Sequence, residues 1–180
     1  MSISPEFALL GFLSLQSAHG YELHQRLATD LGQVWHISQS QTYNILARLE
    51  TQDLIVGTLQ EQEKLPARRL FSLTGAGRQR FAAWLEAPSG CSVRAIRVEF
   101  ITRLYFAQAI DPKISQRLIQ SQAVQVQAGL GELRTALRQE APGQVFNRLG
   151  IELRIRQLSS ILEWLAECEQ TLRPPLDRAP

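Results

Sequence analysis

The chain has 180 residues, 44% of them apolar and 20% charged, which is enough for a real core and excludes a disordered or low-complexity protein. Its formal charge is only +2, and residues 1–86 carry seven Lys and Arg against eight Asp and Glu, a net of −1. Bulk electrostatics therefore do not single out a polyanionic partner, and any cationic patch must come from local arrangement.

The elements read in order as follows. Ser4 and Pro5 are placed as N-cap and first residue of a helix whose apolar face is Phe7, Leu9, Leu10, Leu13 and Leu15. Gln16–Gly20 is a polar turn, and a second helix begins near Tyr21 with Leu23, Leu27 and Leu31 at helical spacing. Trp35 and Ile37 form an apolar connector, with Trp35 expected in the core. Ser38 caps a third helix, Gln39–Gln52, whose buried stripe is Ile45, Leu46 and Leu49. Tyr43 flanks that stripe, and the opposite side carries Gln39, Ser40, Gln41, Asn44 and Arg48. Leu54–Leu59 and Arg69–Leu73 alternate like strands, and the loop between them holds Lys64 and Pro66. Thr74 caps a helix that stops at Pro88-Ser89-Gly90, the clearest boundary in the chain.

Beyond that boundary every strong signal is helical. Val93–Ile110 reads as one helix, and Asp111-Pro112 starts the next. Two apolar seams follow: Ile119, Ala123, Val126, Leu130, Leu133 and Leu137, then Ile151, Ile155, Leu158, Leu162, Leu165 and Leu172. They offer more apolar face than one helical hairpin needs. Either they pack within the chain, or Val126, Leu130, Leu133, Leu158, Leu162 and Leu165 form a coiled-coil-like dimer interface; the dimer is the favoured expectation. The organisation expected is a mainly α protein: a winged helix-turn-helix with a two-stranded β wing at 1–88, a helical dimerisation domain at 91–173, and a tail at 174–180.

Gln39, Ser40, Gln41, Thr42, Tyr43 and Asn44 crowd the N-terminal end of the third helix. Amides there suit adenine edges and hydroxyls suit phosphate oxygens, while the helix terminus itself favours anions. A polar helix face that is simply solvated gives the same pattern. Arg48 suits a phosphate clamp or an intrahelical partner. Lys64, Arg68 and Arg69 suit phosphate or minor-groove contact, or a charged hairpin that blunts a sheet edge. His19 is open to phosphate, capping or core roles, whereas His24 and His36 suit surface or packing roles. Phe81, Trp84, Phe100, Tyr105 and Phe106 mark an aromatic zone near the boundary, and aromatics at helical spacing read as core.

Cys91 and Cys168 make neither a metal spacing nor a disulfide framework, so no cofactor is expected. With no leader-like start and no apolar run of membrane length, a cytoplasmic protein is the simplest expectation. The chain has no G-x-S-x-G, H-E-x-x-H or phosphate-binding loop, which argues against an enzyme.

Particular runs resemble the PadR family of bacterial transcriptional regulators. They are Leu9-Leu10-Gly11-Phe12-Leu13, His19-Gly20-Tyr21-Glu22-Leu23, Trp35-His36-Ile37-Ser38, Thr42-Tyr43 and Leu46-Ala47-Arg48-Leu49-Glu50, then Pro66 through Thr74 with Gly77. The second half is similar to the longer PadR members only through its helix pattern and Val98-Glu99-Phe100-Ile101. The resemblance implies a DNA-binding homodimer, a repressor reading an inverted repeat, with a small aromatic effector held near the junction of its domains at Phe81, Trp84, Phe100 and Tyr105. The alternative is a winged-helix protein-interaction module without DNA binding. The chain departs from the family in Asn44, where Pro is usual, in Asp53, where Gly is favoured, and in Leu70-Phe71, which replaces an aromatic pair.

Overall fold

A computed structural model describes residues 4–60, 68–141 and 143–172. The chain divides into two compact units, Met1–Ala87 and Pro88–Pro180.

In the first unit, α1 (Glu6–Leu15) is so uniformly apolar that it takes the centre, with Ala8, Leu9, Leu10, Phe12 and Leu13 all buried. α2 (Gly20–Asp30), α3 (Gln39–Thr51) and α4 (Gly75–Glu86) surround it. α2 contributes Leu23 and Leu27, α3 contributes Ile45, Leu46 and Leu49, and α4 contributes Phe81, Trp84 and Leu85. β2 (Ile55–Gln60) and β3 (Arg68–Leu73) form the hairpin, paired from Ile55↔Leu73 to Gln60↔Arg68. A third strand, β1 (Ala18–His19), joins the outer edge of β3 through Ala18↔Phe71 and His19↔Leu70. Two residues are too few for an alternating pattern, so this strand could not be anticipated. Trp35 is half-buried and not part of the core, because the connector between α2 and α3 runs along the surface.

Two backbone positions hold the hairpin against the helices. A Cβ on Gly77 would fall 1.9 Å from the Leu54 carbonyl oxygen, so the first turn of α4 can approach β2 only with glycine there. Asp53, between α3 and β2, has φ of 55° and is the one non-glycine residue in the left-handed region among those described. The Thr74 hydroxyl donates to the Asp53 carbonyl at 2.7 Å and anchors this turn from the far side.

In the second unit, a π-helical segment (Ala95–Phe100) leads into α5 (Ile101–Ile110). The continuous helix expected from Val93 is therefore wider in its first turns. The wide turns hold Glu99, whose carboxylate accepts from the fully buried Arg103 guanidinium at 2.6 Å; Arg103 also donates to the Ser89 hydroxyl at 2.9 Å. Burial pulls the Arg103 pKa below its ordinary value, and Glu99 opposes that pull. Asp111 caps α6 (Pro112–Gln139) by accepting from the Lys113 N–H at 2.9 Å, and α6 folds back on α7 (Val145–Thr171).

Val126, Leu130, Leu133, Leu158 and Leu165 are buried together with Ile96, Phe100, Leu104 and Ile119, and half-buried Leu162 packs against them. This corrects the expected dimer seam: α5 and its preceding π-helical turns cover those side chains within one chain. Burial raises the pKa of the free thiols Cys91 and Cys168, with Glu132 and Glu167 respectively acting in the same direction.

Asp53→Gly should raise stability by about 1 kcal/mol, since glycine removes the steric cost of the left-handed conformation and the Thr74 bond is to backbone. Thermal denaturation of the two proteins measures it; an unchanged or lower Tm would show the turn to be unstrained.

Candidate nucleic-acid interface

The N-terminus of α3 is built by a reciprocal cap. The Gln41 N–H donates to the Ser38 hydroxyl at 3.2 Å, and the Ser38 N–H donates to Gln41 Oε1 at 2.8 Å. One face of this first turn is tied inward. Thr42 is 0% exposed, its hydroxyl donates to the Ser38 carbonyl at 3.2 Å, and the hydroxyl oxygen lies 3.1 Å from His24 Nδ1 on α2. Because the Thr42 proton is used on Ser38, Nδ1–H of His24 is the donor in the second bond. Thr42 is thus a strut between α2 and α3, which corrects its expected place on the outer surface.

Gln39, Ser40, Gln41, Tyr43 and Asn44 are exposed around that strut. Gln41 spends one side-chain oxygen on the cap and keeps its amide donors. Tyr43 packs over Gly20 at the start of α2, where an added Cβ would lie 2.6 Å from its ring. α2 starts one residue earlier than expected, because the His19 N–H donates to the Glu22 carboxylate at 2.9 Å and makes His19 the N-cap. The His19 ring donates from Nδ1 to the Arg69 carbonyl at 3.0 Å, a capping and strand-joining role rather than an outward one.

Three of the arginines are held by carboxylates. Arg48 reaches Glu6 Oε2 and Arg80 reaches Glu6 Oε1, both at 3.1 Å. Arg69 meets Glu50 at 2.6 Å. Arg68 is exposed and has no ion pair among the described residues. Lys64 lies outside the described residues. Between α2, α3 and β3 opens a cleft of about 800 Å³, edged by Tyr21, Gln25, Tyr43, Glu50, Arg68 and Arg69. Sequence reasoning missed Glu6 and Glu50, since each pairs with an arginine at least 19 residues away, and it gave His24 a surface or packing role without its partner Thr42.

The aromatic zone separates between the units. Phe81 and Trp84 are buried in the first, where Trp84 stacks on Phe7 at 4.7 Å. Phe100 is buried in the second against Trp164, and half-buried Tyr105 stands edge-on to Phe106. All four have packing roles inside their own unit. No cluster of three or more metal-ligating side chains occurs among the described residues.

Residues 9–83 match the model of the transcriptional regulator PadR-like family, and residues 96–173 match the C-terminal region of the virulence activator alpha family. The first unit thus carries a PadR-like transcriptional regulator domain. It is similar to the negative transcriptional regulator PadR of Bacillus subtilis, 26% identical over 129 residues, which span 72% of this chain and 70% of that protein. A Mycobacterium tuberculosis transcriptional regulator is 28% identical over 81 residues, or 45% of this chain and 43% of its own length. Bacillus subtilis PadR solved with operator DNA aligns with a TM-score of 0.45 at 21% identity, covering 93% of this chain and 98% of that one. No helix among the described residues is long and apolar enough to cross a membrane.

Thr42→Ala should destabilise this PadR-like domain by about 1–2 kcal/mol, because it leaves His24 without its acceptor. Urea denaturation checks it; a midpoint equal to wild type would mean that Thr42 is not a strut.

Proposed function

We propose that this regulator binds specific DNA sequences as a homodimer and represses transcription from an inverted repeat. One observation carries the reading. The first turn of α3 is clamped from within by Ser38, Thr42 and His24, while Gln39, Ser40 and Asn44 are exposed and Tyr43, packed on Gly20, keeps an exposed edge. A helix so held presents a fixed set of amides and hydroxyls, together with its own positive end, to a major groove. Asn44 has the donor and acceptor needed for a bidentate bond to adenine. Gln39, Gln41, Ser40 and Tyr43 suit neighbouring base edges or phosphate oxygens. Arg48 joins the contact set if phosphate displaces Glu6, and Arg68 and Lys64 supply the wing's cations. Repression follows the name of the Bacillus relative.

The dimer needs a different surface from the one expected in the sequence, since most of that seam is covered. On α7, Phe146 is 88% exposed, and Val145, Leu149 and Leu153 beside it are also exposed. Apolar side chains spaced this way along a helix cost water contact unless another chain covers them. A second copy joined there would bring two copies of α3 to the two halves of an inverted repeat.

A selection of bound fragments from random duplex DNA tests the reading. An inverted repeat should emerge, and Asn44→Ala should relax one base position in each half. Recovery of no enriched sequence would favour a winged domain that binds protein, a role with which the net charge of −1 on residues 1–86 is compatible. Phe146→Glu combined with Leu153→Glu should convert the dimer to a folded monomer in sedimentation equilibrium. A persisting dimer would put the interface elsewhere.

A further inference from the structure

Four elements of the first unit meet at one ion pair. Glu50 stands near the end of α3, and its Oε1 accepts from Arg69 Nη2 of β3 at 2.6 Å and from the Gly57 N–H of β2 at 3.0 Å. The Arg69 carbonyl accepts from His19, at the junction of β1 and α2, at 3.0 Å. The Arg69 guanidinium lies 5.5 Å from the Phe71 ring centroid. A Cβ on Gly57 would come within 2.9 Å of both Glu50 Oε1 and Arg69 Nη2, so the crossing of the pair over β2 uses the space that glycine leaves.

We infer that Glu50 and Arg69 are positioning residues that lock the wing to the recognition helix, and that Arg68, not Arg69, is the phosphate-facing arginine of β3. The inference rests on the DNA-binding reading of α3 and the hairpin. Neighbours on a strand point to opposite faces, so Arg68 and Arg69 cannot share a role by proximity alone. Arg69 already spends its fork on a carboxylate and lies against an aromatic ring, while Arg68 is exposed without an ion pair among the described residues. Glu50 itself is a negative charge on the edge of a surface meant for a polyanion. If charge were its whole effect, removing it would tighten DNA binding. If it sets the angle between wing and helix, removing it weakens binding instead. The sign separates the two.

The test uses the full chain and the tightest duplex from a random-sequence selection, with affinity read by fluorescence anisotropy at several salt concentrations. Glu50→Ala should weaken binding about five-fold, and the milder Glu50→Gln should also weaken it. Arg69→Ala should weaken binding by a similar factor without changing the slope of log affinity against log salt. Arg68→Ala should lower that slope by about one, the loss of one phosphate contact. The double variant, Glu50→Ala with Arg69→Ala, should be no weaker than its worse single parent. Tighter binding by either Glu50 variant, a reduced slope for Arg69→Ala, or additive losses in the double variant would overturn the inference. Wild-type protein that binds no duplex would overturn the DNA-binding reading itself, a different failure from wild-type binding that the variants leave unaltered.

Discussion

The inward anchoring of α3 is the constraint on which the rest depends. Ile45, Leu46 and Leu49 are buried along its length, and Thr42 extends that buried line into the first turn with a hydroxyl beside its methyl group. Apolar burial alone would hold the middle of the helix and leave its N-terminus free to fray. The Ser38–Gln41 cap and the His24–Thr42 bond close that end. The helix then has a single rotational setting, and Gln39, Ser40 and Asn44 face outward because no other setting buries the same side chains.

Charge follows a different logic from the one the composition suggests. The first unit is slightly acidic, and three of its arginines are shared with carboxylates: Glu6 holds Arg48 and Arg80, and Glu50 holds Arg69. Exposed pairs of this kind contribute little to stability, on the order of 1 kcal/mol or less. Their effect is geometric. They fix long side chains that would otherwise sample many rotamers, and they lower the local field until a polyanion competes for the cation. A surface arranged in this way favours recognition of shape and base edges over indiscriminate attraction to phosphate.

Much of the fold could be read from the residues. Ser38, Thr74 and Asp111 cap the helices they were expected to cap, because a short polar side chain before an apolar repeat is a local signal. The first strand is shifted by one residue and the second starts one residue early, since alternation gives the phase of a strand more reliably than its ends. The π-helical turns from Ala95 to Phe100 escaped notice because an i→i+5 pattern over six residues does not separate from a helix in sequence. The candidate interface was legible as a cluster of polar side chains, but not in its detail. Thr42 looked like its neighbours until its burial appeared. The leucines from Val126 to Leu165 gave no sign of which chain would cover them, because an apolar seam is the same pattern whether it folds on itself or on a partner. Residue-level contacts between Glu6 and Arg48, or Glu50 and Arg69, depend on chain geometry across 42 and 19 positions.

The most direct measurement is an amide chemical-shift titration of the isotope-labelled protein with a duplex chosen by selection. Perturbations should concentrate on residues 39–44 and on Arg68, with Thr42 and Ile45 shifting through their backbone while their side-chain signals stay fixed. Perturbations confined to the helices of the second unit, or spread evenly over the surface, would contradict an outward-facing α3 as the surface that meets DNA.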